Sequence, residues 1–344
     1  MTRVAVIDVG TVTARLAIAE VAGGRVRSLT KRSTIVNLGE GVDHTGLLTD
    51  GAQQRLLACI DDYLADVRAA GQLPVCCTLT SAARDARNSA GLLAELAARG
   101  LDAQVIPGEV EGSLTFLGVA GDFLGHRIMV ADNGGGSTEL AVGSLAADGL
   151  RLEWVRSINV GCRRLTEKFL SRQDPPAASD VQEAHAFAGR NFAPYVPWAA
   201  SCAAASGAAA ELAPGVPCGP QPERLIVTGG TVTTLVAIKK ELVPYDSTQV
   251  HLAELTRGEV LDLEAKLASM TVVHRAELAG IQAKRAPVIL GGAVAVAELM
   301  RQTGFDRLTV SESDLLFGMS IVAAATLDGA ESPVGWKPRI SPAA

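Results

Sequence analysis

A motif that occurs twice constrains the fold of this chain more than any other feature of its sequence. In the first copy, an apolar run that begins at Val4 ends in Asp8, and a turn with Gly10 and Thr11 follows. The second copy has the same order, because an apolar run ends in Asp132 and a glycine-rich turn with hydroxyl residues follows. In both copies another short apolar run comes next, which is typical of a second strand. The repeat predicts two duplicated halves that face each other across a cleft.

The order of the other apolar patterns predicts an α/β fold. Three strand-like runs joined by short turns precede a helical pattern at residues 49–70. Strands then alternate with helices, one of them predicted over residues 82–99, as far as the run that ends at Asp132. Since helices connect parallel strands and tight turns connect antiparallel ones, we expect mixed sheets.

A chain of 344 residues is long enough for two domains. We place an N-terminal α/β domain at residues 1–125, completed by a C-terminal helix at residues 312–326, and a second α/β domain at residues 126–311. Residues 331–344 are predicted to form a flexible tail. Residues 194–222 are rich in Ala, Pro and Gly, which predicts a broken helix and a surface loop.

Composition and charge exclude several classes of protein. Hydrophobic residues make up 48% of the chain, which excludes global disorder. The net charge of −6 gives no general attraction to nucleic acid or to anionic membranes. Asp8 interrupts the first apolar run and the later runs are too short to span a bilayer, which predicts a cytoplasmic protein that does not use a membrane. None of the six cysteines belongs to a Cys-x-x-Cys pair, which argues against a structural zinc site.

Three glycine turns that contain hydroxyl residues are candidate oxyanion sites. Glycine lets successive backbone N–H groups point at one anion, and the third turn also opens a helix, whose N-terminus favours an anion. None of the turns has the spacing of a Walker or a Rossmann motif. The alternative is that they are ordinary turns at strand ends. The turns consist of Gly10 and Thr11; of Gly134, Gly135, Gly136, Ser137 and Thr138; and of Gly229, Gly230 and Thr231.

Three acids, Asp8, Asp132 and Glu139, lie at or just past strand ends. A carboxylate in such a place needs a partner, and beside phosphate-binding turns a hard divalent cation such as Mg²⁺ is the partner that its chemistry favours. Alternatively, these carboxylates accept hydrogen bonds from backbone N–H groups of the neighbouring turns.

Two charged residues of the first half are further candidates. Glu111, like Glu109, lies at the expected start of a helix, where acids also interact favourably with the helix dipole. Arg84 lies just beyond a strand end, where a guanidinium can bind a phosphate, the alternative being an exposed helix arginine.

Together these motifs resemble the exopolyphosphatase and guanosine pentaphosphate phosphohydrolase (Ppx/GppA) family, in its short two-domain form. The resemblance extends from about Val4 to Ala325, and its most specific part is the segment Asp132-Asn-Gly-Gly-Gly-Ser-Thr-Glu-Leu. It implies two ribonuclease-H-like domains with mixed sheets around a central cleft, as in actin, Hsp70 and sugar kinases. The segments that carry it begin at Val6, Thr80, Pro107, Asp132, Asn159 and Gly229.

The resemblance also implies roles for individual residues. Glu111 falls where the family has its catalytic glutamate, which positions or deprotonates the attacking water. Asp132 and Glu139 match acids of the metal and catalytic centre, and with Asp8 they form the predicted metal site for Mg²⁺, with Mn²⁺ as an alternative. The substrate-binding set comprises Gly10, Thr11, Thr13, Arg84, Gly134, Gly135, Gly136, Ser137, Thr138, Gly229, Gly230 and Thr231.

The activity that we predict is release of terminal phosphate from inorganic polyphosphate. Guanosine pentaphosphate 5′-phosphohydrolase is the alternative, and the family implies a homodimer. At Val12 and Asn37, and also at Val110, the chain departs from the family pattern. Since the first two departures each remove a plausible phosphate contact, a polyphosphate- or alarmone-binding protein with little turnover is a further alternative. An ATP-dependent kinase is disfavoured, because the segments match the hydrolases better.

Overall fold

The computed structural model describes residues 1–196, 198, 213, 216 and 219–342. Its chain divides into two compact units. Unit 1 comprises Met1–Leu124, Leu145–Leu150 and Ser313–Ala344, and unit 2 comprises Gly125–Ser144 and Arg151–Glu312. Most of the stretch 194–222, for which the sequence predicted a broken helix and a loop, lies outside the described residues.

Unit 1 is built on a six-stranded sheet with the order β12-β4-β1-β2-β3, and β5 pairs with β4. β1 is antiparallel to β2 and β2 to β3, whereas β4 is parallel to β1. The strands are β1 (Thr2–Val9), β2 (Thr13–Ala22), β3 (Arg25–Ile35), β4 (Val75–Leu79), β5 (Gln104–Val105) and β12 (Ile340–Ser341). The helices span Val42–Thr45, Asp50–Ala69, Ser81–Asp85, Ser89–Ala98, Gly108–Ala120 and Leu315–Leu327.

The alternation of side chains along β1 explains why helices cover both faces of this sheet. Ala5 and Ile7 belong to a core that contains residues of the helices Asp50–Ala69 and Ser89–Ala98. Val4 and Val6 point to the opposite face and belong to a core with residues of the helices Gly108–Ala120 and Leu315–Leu327.

Two sequence predictions in unit 1 are wrong. The helix predicted over residues 82–99 is divided into Ser81–Asp85 and Ser89–Ala98, because Ala86 is extended and the Asn88 amide bonds to the backbone N–H and C=O of Leu48. The tail predicted to be flexible instead contributes β12, which pairs with β4, and the Ser341 hydroxyl accepts a hydrogen bond from the Asp102 amide.

Unit 2 contains the second six-stranded sheet, with the order β10-β11-β9-β6-β7-β8. β6 is antiparallel to β7 but parallel to β9, and β9 is parallel to β11, so this sheet is mixed as well. The strands are β6 (Arg127–Asn133), β7 (Thr138–Ala146), β8 (Gly149–Ile158), β9 (Arg224–Thr228), β10 (Glu254–Thr256) and β11 (Arg307–Ser311). The α-helices span Cys162–Leu165, Ala178–Phe192, Gly230–Lys239, Ser247–Val250, Arg257–Ala268, Val272–Ala276 and Ile289–Thr303, and Thr166–Leu170 is a π-helical turn.

The predicted α/β class with two mixed sheets is confirmed. The three parallel strands β6, β9 and β11 end at one edge of the second sheet, which brings Asp132 and the turn that begins at Gly229 to the same edge. Within the described ranges, no helix combines the length and the apolar character that crossing a membrane requires.

Candidate functional site

The repeated motif of the sequence is also a repeated structure. In unit 1 the Gly10 amide donates to the Thr13 carbonyl at 3.0 Å, which closes the turn between β1 and β2. In unit 2 the Gly134 amide donates to the Ser137 carbonyl at 3.0 Å, which closes the turn between β6 and β7. Each unit therefore carries the same hairpin turn at the end of its first strand.

We call residues 134–137 the glycine turn and residues 161–164 the clamp segment. The clamp segment donates hydrogen bonds to the carbonyl groups of the glycine turn. The Cys162 amide donates to the Gly134 carbonyl at 3.0 Å and the Arg163 amide to the Gly135 carbonyl at 2.8 Å. The Arg164 Nε atom donates to the carbonyl of the third turn glycine, Gly136, at 2.7 Å. The carbonyl groups of the turn are thus held away from any ligand.

Two amides of the glycine turn remain available to an anion. Among the residues that the structure describes, the N–H groups of Gly135 and Gly136 donate to no protein acceptor. Gly161 must be a glycine for the clamp segment to lie this close, since a Cβ atom there would be 2.5 Å from the carbonyl carbon of Gly135. Successive backbone N–H groups in a turn can form an anion-binding concavity.

The turn in unit 1 is held in a similar way. The amides of Val36 and Asn37 donate to the Val12 carbonyl at 3.0 and 2.9 Å, and the Gly39 amide donates to the Thr11 carbonyl at 2.9 Å. A Cβ atom at Gly39 would lie 2.3 Å from the Thr11 Cγ2 atom. Val12 and Asn37 therefore shape this turn through their backbone atoms, whatever side chain the family has at these positions.

The third turn lies beside the glycine turn in unit 2. Gly229 has a φ of 105°, and a Cβ atom there would be 2.8 Å from the Asn133 carbonyl oxygen. A Cβ atom at Gly230 would be 1.9 Å from a guanidinium nitrogen of Arg285, so this cation covers the start of the helix Gly230–Lys239. The Thr231 side chain is buried against Gly292.

Asp132 and Glu139 are brought together by the register of β6 and β7. They are directly opposite each other in the antiparallel pair, so both side chains project from one face of the sheet, and both are buried. The Ser157 hydroxyl of β8 donates to Glu139 Oε1 at 2.6 Å. Two adjacent carboxylates provide the hard oxygen donors that Mg²⁺ prefers, so the donor set fits this ion. The part of the chain that the structure describes contains no group of three or more His, Cys, Asp or Glu residues arranged to hold a metal.

Asp8 has a different partner, because a cation of the protein already bonds to it. Arg15, directly opposite in β2, donates through Nε and Nη2 to Asp8 Oδ2 at 3.0 and 2.7 Å. Its Nη1 atom donates to Asp314 Oδ2 at 2.9 Å, and the other oxygen of Asp314 caps the helix Leu315–Leu327. Burial raises the pKa of Asp8 and the charge of Arg15 opposes that rise. Asp8 Oδ1 is buried without a hydrogen-bond partner among the described residues.

Glu111 and Arg84, which the sequence assigned to different roles, form one ion pair in unit 1. Arg84 Nη1 donates to Glu111 Oε2 at 2.6 Å and to the Ile106 carbonyl at 3.0 Å. Glu111 lies in the first turn of the helix Gly108–Ala120 and is buried, whereas Glu109 is exposed. A guanidinium on a buried carboxylate favours its ionised form, which is the form that accepts a proton from water.

Three residues near these sites were absent from the sequence prediction, namely Arg15, Ser157 and Arg285. Arg15 could have been identified from the sequence, because the pairing of β1 with β2 places a basic side chain opposite Asp8. Ser157 belongs to the third strand of its sheet, and Arg285 reaches Gly230 from a distant segment, so their positions depend on tertiary structure.

Comparisons with known proteins agree on one family. The Ppx/GppA phosphatase family matches this chain at residues 17–213 and 218–321. Exopolyphosphatase 2 of Mycobacterium tuberculosis is 34% identical over 340 residues, which cover 94% of this chain and 99% of that protein. A Ppx/GppA family member from Aquifex aeolicus, known from a crystal structure, is 27% identical with a TM-score of 0.73, over 95% of this chain and 99% of that one. An exopolyphosphatase from Cytophaga hutchinsonii shares the fold with a TM-score of 0.78 at 24% identity, over 97% and 100% of the two chains.

Proposed function

Since the chain belongs to the Ppx/GppA phosphatase family, we propose that it is an exopolyphosphatase, which hydrolyses the terminal phosphoanhydride bond of inorganic polyphosphate. The observation that carries the proposal is the glycine turn, whose carbonyl groups are bound by the clamp segment while two of its amides are left for an anion. The near full-length similarity to a protein named exopolyphosphatase supports polyphosphate over guanosine pentaphosphate as the substrate.

We propose roles for residues of each unit separately. In unit 2, the amides of Gly135 and Gly136 bind non-bridging phosphate oxygens, and the cation of Arg285 adds positive charge at the third turn. In unit 1, Glu111 accepts a proton from the attacking water, and Arg84 holds the carboxylate in place. The water oxygen forms a bond to the terminal phosphorus, the bridging P–O bond breaks, and a shortened polyphosphate leaves with the bond electrons.

Asp132 and Glu139 are the residues that we propose to hold Mg²⁺, with Mn²⁺ as an alternative. A divalent ion there would supply positive charge for the phosphate oxygens. Asp8 is not needed for this role, because Arg15 already neutralises it. Calorimetric titration of the protein with MgCl₂ tests the assignment: Asp132→Asn and Glu139→Gln should weaken binding, and Asp262→Asn, an exposed acid in the same unit, should not. Equal Mg²⁺ affinity in all four proteins would contradict it.

The experiment that tests the function is a comparison of phosphate release from long-chain polyphosphate and from guanosine pentaphosphate, each with and without Mg²⁺. We expect Mg²⁺-dependent release from polyphosphate, and loss of about 10²–10⁴-fold in kcat for Glu111→Gln, the range for a removed general base. Glu109→Gln is the matched control, because Glu109 is two residues away and exposed. Binding of polyphosphate without release under any divalent metal would favour the binding-protein alternative, and wild-type turnover by Glu111→Gln would exclude Glu111 from the mechanism.

A further inference from the structure

Asn133 is a polar residue in a row of apolar side chains. Alternate residues of β6, Met129 and Ala131, point into the main core of unit 2, and Asn133 is the next residue of that row. In β7 the corresponding row contains Leu140 and Val142, and Thr138, directly opposite Asn133, precedes them. The strand pattern alone therefore predicts an apolar residue where Asn133 lies, and Asn133 is only 3% exposed.

The Asn133 amide is the first link of a chain of hydrogen bonds that ends at the clamp segment. Its Nδ2 atom donates to Thr138 Oγ1 at 3.0 Å, and the Thr138 hydroxyl donates to the Val160 carbonyl at 2.6 Å. Val160 directly precedes Gly161, where the backbone lies too close to Gly135 and Gly136 for a Cβ atom to fit. Two side chains that flank the glycine turn thus fix the backbone that holds its carbonyl groups.

The other atom of this amide is unsatisfied. Asn133 Oδ1 is buried and accepts no hydrogen bond from the described residues. A buried acceptor without a donor destabilises the folded state, so packing alone would favour a residue of similar shape without polar atoms. Residues that break the local pattern at a cost in stability tend to occur at functional sites.

We infer that Asn133 is a positioning residue for phosphate binding: it orients the Thr138 hydroxyl, which fixes Val160 and through it the clamp segment on the glycine turn. The inference rests on the proposed function, in which the amides of that turn bind the substrate phosphates. In this role Asn133 does not contact the substrate. The inference predicts that Asn133 lowers the stability of the folded protein and raises its affinity for polyphosphate.

The test compares the wild type with Asn133→Leu, which keeps the shape of the side chain and removes both polar atoms. We expect KM for polyphosphate to rise about tenfold, because the clamp segment would hold the glycine turn less firmly. The value of kcat should change less than KM. The thermal midpoint should be equal to or above that of the wild type, because the unsatisfied oxygen is gone. Thr303→Val is the matched control: its hydroxyl is buried in the same unit but bonds only within its own helix.

A second variant breaks the same chain of bonds at its other end and covers the case in which Asn133→Leu does not fold. Thr138→Val should raise KM by a similar factor, and the double variant should raise it no further than the larger single effect, because both act through one path. A raised midpoint with unchanged KM in Asn133→Leu would overturn the inference, and so would multiplicative effects in the double variant.

Binding of tripolyphosphate, measured by calorimetry without turnover, separates this inference from the proposed function. If the wild type releases no phosphate but binds tripolyphosphate, the proposed function fails, and a weaker affinity of Asn133→Leu still supports the role of Asn133. If the wild type is active and both variants bind tripolyphosphate as tightly as it does, the function stands and the positioning role of Asn133 is refuted.

Discussion

At the scale of single residues, the ion pair of Arg84 and Glu111 holds the proposed base in place. The two side chains are 20% and 10% exposed, and their atoms are 2.6 Å apart. Arg84→Met removes the guanidinium that holds the Glu111 carboxylate in place. We expect kcat to fall about 10²-fold, whereas Arg84→Lys should keep part of the activity.

Steady-state kinetics with polyphosphate check this prediction. Arg87→Met is a suitable control, because Arg87 lies three residues away and bonds at the surface to the Thr45 carbonyl. An unchanged kcat in Arg84→Met, together with a higher KM, would instead assign Arg84 to the substrate phosphates, as the sequence predicted.

A second residue-scale prediction concerns His185, which lies between two glutamates in unit 2. Its Nε2 atom is 2.8 Å from Glu264 Oε1 and its Nδ1 atom is 3.4 Å from Glu298 Oε2. The bond to Glu264, followed by the bond to Glu298, raises the pKa of His185 from 6.5 to about 9. Because the raised value belongs to the folded state, the stabilisation is complete below pH 6.5 and is lost as pH rises through 9.

A shift of this size corresponds to about 3 kcal/mol of folding free energy. We therefore expect the denaturant midpoint of the wild type to fall between pH 6 and pH 10, and His185→Gln to remove most of this dependence. His126→Gln should leave the dependence in place, because His126 pairs with Glu223 at the exposed surface. A wild-type midpoint that is constant over this range would refute the assignment.

The positions of the candidate site residues could be predicted from the sequence better than their partners could. The candidate acids and turns follow strand patterns, so their location at strand ends could be predicted from local sequence. Their partners could not, with the exception of Arg15, which the pairing of β1 and β2 places opposite Asp8. The pair of Arg84 with Glu111 joins two helices that are separated in sequence, and only the packed fold reveals that both residues share one interaction.

At the scale of elements, the contact of the clamp segment with the glycine turn leaves no space for a side chain at Gly161. A Cβ atom there would lie 2.5 Å from the Gly135 carbonyl carbon and 2.6 Å from that of Gly136. Gly161→Ala must therefore displace the turn, and we expect at least a tenfold loss of tripolyphosphate affinity, since contacts in close-packed backbone have little room to relax.

Calorimetry with tripolyphosphate measures this effect, and Gly91→Ala is its control. Gly91 lies within the helix Ser89–Ala98, and a Cβ atom there meets nothing within 4 Å. Alanine in an open helical position should stabilise the protein slightly, by about 0.5–1 kcal/mol, without a change in affinity. Wild-type affinity in Gly161→Ala would show that the turn does not need the clamp segment.

Element boundaries could be predicted where local signals decide them and not where distant residues do. The division of residues 82–99 depends on Asn88, whose partner Leu48 lies 40 residues earlier in the chain. β12 forms because β4 offers a free edge to the last residues of the chain. The helix Ala178–Phe192 was not predicted, although Ala184, Ala188 and Phe192 lie at helical spacing and are buried, because alanines give a weak apolar signal.

At the scale of the whole molecule, the sequence repeat corresponds to a repeated sheet. The order β4-β1-β2-β3 in unit 1 matches β9-β6-β7-β8 in unit 2, with a parallel strand beside each hairpin. The short motif could predict this common part, because it marks the first hairpin of each unit. The outer strands differ between the units, and no repeated motif in the sequence predicts them.

The last helix of the chain belongs to the core of the first unit, which makes the fold of that unit depend on both ends of the sequence. Leu315, Leu316, Met319 and Val322 are fully buried in a core that also contains Val4 and Val6 of β1. The helix packs closely on its neighbour, since a Cβ atom at Gly318 would be 1.9 Å from the Leu114 carbonyl.

A chain that ends at Glu312 should therefore lose the fold of unit 1. Burial of the four large side chains contributes roughly 6–12 kcal/mol, which is comparable with the whole stability of a domain. We expect circular dichroism of the truncated chain to show loss of the cooperative transition of unit 1, and phosphate release to disappear with it. A chain that ends at Ala330 keeps the helix but loses β12 and the partly buried Val334 and Trp336, so it should still melt cooperatively, at a lower temperature than the wild type. Cooperative wild-type melting of the shorter chain would mean that residues 1–124 fold without this helix.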